Sequence, residues 1–276
     1  MKKGITVLGT SAETVIRKWY KRLEFPSRFD LEFEEALKST PIPEHPSIDC
    51  YDMTCEDGKR NLLCYLYMCE NACSEMEKRG IPSEIITDTL KDITVWNTVW
   101  SDIKGELYLG TVEWLANHLR GNIYKVGRLQ FRMARAKAPV PSYGINVGDN
   151  ILEIHIQGVG RLDIDECKRS IKEGRAFIGK YFPEFKYKHV TCDSWLLDPT
   201  LSEYLSPESN IIRFGNLFDR VENVKSNVLI KYLFPHDMTE EKLSEAVPSS
   251  SFAKKVKEAI LSGKCFNQTF GVLKEI

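Results

Sequence analysis

The stretch Asn150 to Phe182 constrains the fold more than any other, because a strand, a glycine turn and a long amphipathic helix follow one another without a gap. In Asn150-Ile151-Leu152-Glu153-Ile154-His155-Ile156, an extended chain points alternate side chains to opposite faces. Leu152, Ile154 and Ile156 therefore form an apolar face, and Glu153 and His155 share the other. Two titratable groups are thereby set side by side. Gln157-Gly158-Val159-Gly160-Arg161 supplies the turn, and Asp163 with Glu166 three residues later reads as an N-cap and capping box. Ile164, Cys167, Ile171, Gly174 and Ile178 then recur at threes and fours, the period of a helix packed on a sheet. Free amide N–H groups and the helix dipole both point into such a turn, which suits it to an anion, although glycines there also serve the turn alone.

At 276 residues and 42% hydrophobic content, the chain can bury one large core or two modest ones. Its 38 basic and 39 acidic residues leave a net charge of -1, which offers no bulk attraction to nucleic acid or an anionic membrane. The opening Met1 to Gly9 has a basic start without a signal-peptide apolar run, and no later run reaches membrane-spanning length, so the expected location is the cytoplasm. Five of the eight cysteines (Cys50, Cys55, Cys64, Cys69, Cys73) crowd into the first third. They form no C-x-x-C pair and no histidine follows at zinc-finger spacing, so they read as reduced core thiols, with no metal expected.

Along the chain, Glu13–Phe25 and Phe29–Leu37 read as short helices, and Ser39–Pro46, with three prolines in eight residues, as an irregular extended connection. Lys59–Arg79 is a helix stopped by Gly80 and Pro82, Ser83 caps one running to Gly105, and Val112–Arg120 closes at Gly121. The composition then changes: Ile123–Met133 and Ile145–Ile156 read as strands on either side of Ala138-Pro139-Val140-Pro141. The domain boundary is placed at Gly121, giving a mostly helical domain over 1–121 and a second domain over 122–276. Lys188–Leu197 reads as an interior strand that alternates Val190, Cys192, Ser194 and Leu196 against His189, Thr191, Asp193 and Trp195. Asp198-Pro199 starts a short helix, Asn210–Phe214 and Val228–Phe234 read as strands, and Phe252–Ser262 as the last helix. The second half is thus α+β with at least one parallel crossover.

Five segments taken together, Trp114–Gly121, Gly127–Phe131, Ile154–Ile156, Cys192–Pro199 and Ser209–Phe214, resemble a family of bacterial acyltransferase-domain proteins. That family has a helical N-terminal region and a GNAT-like (N-acetyltransferase-like) C-terminal domain. The resemblance implies a mixed sheet flanked by helices, two strands that splay apart, and a loop that wraps the coenzyme A pyrophosphate at a helix N-terminus. Asn150–Ile156 and Lys188–Leu197 would be the splayed strands. Gln157, Gly158, Val159, Gly160, Arg161 and Leu162 would be the loop; Gln157 and Gly160 match its usual pattern, and Leu162 stands where the last small residue belongs. The family has histidine where this chain has Asp193. The implied co-substrate is acyl-CoA, with acetyl-CoA the first donor expected, and the implied acceptor is a small-molecule or peptide amine.

In such a transfer an amine attacks the thioester, so the amine loses a proton and the departing thiolate gains one. His155 is the expected base, with Glu153 orienting it or serving instead; the alternative is a histidine that only bonds buried backbone. The resemblance makes Tyr204 the acid for the thiolate, and the alternative there is ordinary packing. Arg128 and Gln130, on one side of their strand, and Arg213, on the later one, either grip a carboxylate or phosphate or close an ion pair with Glu153 or Asp193. Asp193, Ser194 and Trp195 complete the expected substrate-binding set. The leading expectation is an acyl transfer whose acceptor side the helical domain covers or shapes. A non-catalytic module of the same fold, binding an acyl ligand, a carrier protein or a protein partner, is the competitor. A cysteine hydrolase on Cys192 with His155 lacks a third member.

Overall fold

A computed structural model describes residues 5, 6, 10–235 and 237–275. The helical spacings of the first part become α1 (Thr10–Arg22), α2 (Asp30–Ser39), α3 (Gly58–Lys78), α4 (Ser83–Leu90), α5 (Asp92–Lys104) and α6 (Val112–Leu119), with a short strand β1 (Ile5–Thr6) before α1 and another, β2 (Ile42–Pro43), between α2 and α3. Contacts divide the chain into two compact units, Met1–Tyr124 and Lys125–Ile276. In the first, the stripe Leu62, Tyr65, Leu66, Cys69, Cys73 and Met76 is buried along α3, so those cysteines are core side chains. The single helix expected from Ser83 to Gly105 breaks at Lys91. At the break the Asp92 carboxylate is buried, accepting from Trp114 Nε1 at 3.0 Å and lying 3.1 Å from His118 Nε2. Ser39–Pro46 is also more regular than expected, since Ile42–Pro43 pairs antiparallel with Ile5–Thr6. Apart from that pair, the reading of Met1 to Gly9 lies outside the described residues.

The second part holds β3 (Ile123–Val126), β4 (Leu129–Arg135), β5 (Asn150–His155), α7 (Ile164–Tyr181), β6 (His189–Ser194), α8 (Asn210–Gly215), β7 (Phe218–Lys225), α9 (Ile230–Leu233), α10 (Ser251–Leu261) and β8 (Asn267–Leu273). Six strands form one sheet in the order β3-β4-β5-β6-β8-β7. β5, α7 and β6 make the expected parallel crossover, while β4/β5, β6/β8 and β7/β8 are antiparallel. The period of α7 decides which face it covers. Its Ile164, Cys167, Ile171, Gly174 and Ile178 are buried, and Gly174 lies so close to Phe131 that an added Cβ would meet the ring at 2.3 Å. Phe131 is opposite Ile154, so helix and apolar side chains share one face of the sheet.

The structure differs from the sequence expectation at three segments. Ile123–Met133 is two strands, turned at Gly127, which takes φ +63°, and Arg128. Asn210–Phe214 is helix α8, because Ser209 accepts the Ile211 amide as an N-cap. Val228–Phe234 contains only the one-turn helix α9; its Leu229, Ile230 and Phe234 are buried in an apolar cluster with Leu201, Leu243, Val256 and Phe266. The strands that complete the sheet are instead β7, mostly polar at an edge, and β8, which lies between β6 and β7. Among the described residues no helix is long and apolar enough to cross a membrane.

Candidate active site

On the sheet face opposite α7, alternation and register gather polar side chains from neighbouring strands. β4 contributes Gln130 and Arg132, opposite His155 and Glu153 of β5; Glu153 in turn stands beside Thr191 of β6, and Asp193 follows Thr191 on that face. The Glu153 carboxylate is the hub. Its Oε2 accepts from Arg132 Nε at 2.6 Å and from Arg132 Nη2, and lies 3.3 Å from His155 Nε2. Burial by itself would raise the Glu153 pKa, but the His155 hydrogen bond and the Arg132 charge outweigh it and hold the carboxyl below its ordinary value. Glu153 is thus a fixed anion. A neutral imidazole that donates Nε2–H to it presents its lone pair on Nδ1. Arg132 is the member that sequence reasoning missed, although it lies two residues beyond Gln130 and so on the same strand face.

Beside this hub the sheet opens. β5 and β6 pair over Ile151–Glu153 and His189–Thr191, and among the described residues the pairing stops there. Yet β5 continues along β4 as far as His155, and β6 continues along β8 as far as Ser194. Each strand follows its outer neighbour, and the two part into a wedge. His155 stands on one side of the wedge and Asp193 on the other. Asp193 is open to solvent, yet surrounding protein and the Glu153 carboxylate push its pKa up, against the pull of a Gln268 hydrogen bond.

Gln157 to Leu162 lead from the end of β5 into α7. Asp163 caps that helix, its Oδ1 accepting the Asp165 and Glu166 amides at 3.0 Å, as the spacing predicts. The Glu166 amide bond is the largest influence holding the Asp163 pKa low, and the charges of Arg161 and Arg213 add smaller pulls. Gly160 takes φ +80°, a conformation that favours glycine.

Several expected residues are placed elsewhere. Arg128 neither faces the wedge nor pairs with Glu153; it bonds the backbone carbonyls of Arg161 at 2.9 Å and Gln157 at 3.2 Å, with a longer contact to Gly160 at 3.5 Å. Arg213 is exposed on α8, off the sheet. Tyr204 ends a short 3₁₀ turn, Pro199–Glu203, and its ring packs on Phe266 at 5.5 Å between centroids, outside the Glu153 hydrogen-bond group. Ser194 accepts the Leu196 amide, and Trp195 lies beyond the strand in a 3₁₀ turn, 5.9 Å from the Tyr232 ring. Cys192 is fully buried on the face opposite His155, and burial pushes its thiol pKa up, which removes the cysteine-hydrolase reading.

Against known proteins, residues 123–273 match the GNAT-like C-terminal domain and residues 32–121 the N-acyltransferase N-terminal domain. No curated protein matches the chain. Among solved structures it is similar to an acyltransferase in complex with decanoyl-CoA, at 24% identity and a TM-score of 0.77 over 100% of this chain and 91% of that one. It is also similar to an acyltransferase mutant in complex with octanoyl-CoA (20% identity, TM-score 0.76, 100% and 91% covered). A third is an acyltransferase in complex with decanoyl-CoA and teicoplanin (21% identity, TM-score 0.76, 99% and 91% covered). At such identities the likeness establishes a shared fold.

Proposed function

Because the chain belongs to the family of the GNAT-like C-terminal domain, we propose that it is an acyltransferase that moves an acyl group from acyl-CoA to an amine. Residues 122–276 carry the reaction, and residues 1–121 form an N-terminal domain. The wedge between β5 and β6, with the Glu153–His155 pair on its edge, carries this reading. Strand edges that lose their partner present backbone N–H and C=O groups, which suit the amides of a pantetheine arm. The loop at the mouth of the wedge, Gln157 to Leu162, takes the pyrophosphate.

The amine nitrogen attacks the thioester carbonyl, the C–S bond breaks, and the acyl group leaves on nitrogen as an amide. His155 accepts the proton that the amine loses, and the Glu153 anion orients the ring and stabilises the imidazolium that forms. Arg132 keeps Glu153 ionised. Tyr204 is proposed as the proton source for the departing thiolate, Gln130 and Asp193 as groups facing the reacting atoms, and Ser194, Trp195 and Arg213 as the substrate-side rim. The neighbours that hold octanoyl- and decanoyl-CoA support a medium-chain donor over acetyl-CoA, the first donor expected. The neighbour that holds teicoplanin supports an acceptor of small-molecule size.

Thermal shift with coenzyme A and with acetyl-, octanoyl- and decanoyl-CoA tests the reading. A ligand at about a hundred times its Kd adds about 2.7 kcal/mol, and each kcal/mol raises the midpoint of a chain this size by about 2–4 °C. A shift that grows with acyl length, together with thiol release on adding an amine, is expected. Shifts without thiol release across a broad panel of amines would favour the non-catalytic module, and no shift at all would remove the coenzyme site.

A further inference from the structure

We propose that Arg128 is the positioning residue of the coenzyme loop, acting through the loop's carbonyls and not by touching the phosphates. This rests on the reading of Gln157–Leu162 as the acyl-CoA loop. The guanidinium of Arg128 gathers the carbonyls of Gln157, Gly160 and Arg161. Every peptide among the described residues is trans, and in a trans peptide the C=O and the N–H point in opposite directions. Turning those three carbonyls to Arg128 therefore turns the amides of Gly158, Arg161 and Leu162 the other way. None of these amides donates to a backbone carbonyl of a described residue. The supply of donors matters here, because Asp163 already occupies the Asp165 and Glu166 amides of α7. The loop's outward amides are the ones left for an anion.

The strut has a rigid footing. Arg128 stands in the β3–β4 turn next to Gly127, and that turn is fastened to α7 itself. Ser170 of α7 donates to the Val126 carbonyl and accepts the Leu129 amide at 3.0 Å, and a Cβ on Gly127 would come within 3.3 Å of the Ser170 side chain. Hairpin, helix and loop are thus held as one unit. A guanidinium suits the task because its planar fork serves several acceptors in fixed directions, whereas a lysine ammonium is a point charge on a flexible stem.

The test measures the Kd of coenzyme A by calorimetry, with KM and kcat for octanoyl-CoA, in the wild type, Arg128→Met and Arg128→Lys. Loss of the strut leaves the loop to be ordered on binding, so both variants are expected to raise Kd and KM by about tenfold or more, with kcat at saturation within about threefold. Lysine should fail to rescue, since it restores charge without the fork. Lysine restoring wild-type affinity would mean that Arg128 acts as a phosphate-binding cation, and wild-type affinity in both variants would mean that it has no role in the loop; either overturns the proposal while the acyltransferase reading stands. If Arg128→Met does not fold, Arg128→Lys decides alone by the same criterion. A wild type that binds neither coenzyme A nor octanoyl-CoA would overturn the acyltransferase reading and this proposal with it.

Discussion

One carboxylate oxygen, Glu153 Oε2, serves Arg132 and His155 together, and the chemistry assigned to the site depends on that sharing. The pKa of Glu153 is held below its ordinary value of 4.5 in the folded state. The unfolded chain therefore binds more protons near that value, so the Glu153 contribution to stability is fully present above it and is lost as the pH falls through the folded value. Glu153→Gln should cost about 1–3 kcal/mol near neutrality, and urea unfolding across a pH series should show that difference shrinking below about pH 4.5. A constant difference would contradict the ion pair. His155→Gln should lower kcat by about 10²–10⁴-fold with little change in the KM for acyl-CoA. Loss of acyl-CoA affinity in place of kcat would reassign His155 to binding. The pairing of Glu153 with His155 was legible from alternation, and Arg132 stood in view on the neighbouring strand. That Arg132 faces Glu153 follows from the register between two strands, which neither strand's own pattern contains.

α7 is legible in the sequence because its side chains repeat at its own period, and its packing sets a testable expectation. Alanine in place of a helical glycine ordinarily gains up to about 1 kcal/mol. At Gly174 the new Cβ would lie 2.3 Å from the Phe131 ring, and overpacking of this kind costs about 1–3 kcal/mol. Gly174→Ala should therefore lower the thermal midpoint, and a raised midpoint would show that Phe131 yields freely. The turn after β6 is fastened by buried Asp198, which accepts the Thr200 amide at 2.9 Å and the Asn267 amide at 2.7 Å and side-chain nitrogen at 2.9 Å. Asp198→Ala leaves these donors without their acceptor and should cost about 2–4 kcal/mol by denaturant unfolding. A cost below 1 kcal/mol would show that water replaces the carboxylate. Asn210–Phe214 and Val228–Phe234 differ from their strand expectation for a common reason: a short apolar run is buried equally well as a strand or as a helical turn, and neighbours decide which.

At the scale of the molecule, all eight cysteines are free thiols, with Cys50 and Cys265 exposed and Cys64, Cys69, Cys73, Cys167 and Cys192 buried. A thiol reagent on the native protein should label Cys50 and Cys265 quickly and partly exposed Cys55 more slowly, while the buried five wait for unfolding; mass spectrometry of the labelled peptides reads this out. Rapid native labelling of Cys69 or Cys192 would contradict the packing of α3 or of the sheet. The sequence by itself determined the helical character of the first part, the α+β character of the second, the Asp163 cap, the Glu153 and His155 face and the parallel crossover through α7. Each is set by periodicity or capping within one stretch of chain, where neighbours in sequence are neighbours in space. Only the tertiary structure decided that β8 lies between β6 and β7, that β5 and β6 part after Glu153 and Thr191, and that Arg128 holds the loop's carbonyls. Those depend on which distant backbone groups satisfy one another, and a hydrogen bond between residues far apart in sequence leaves no period to read.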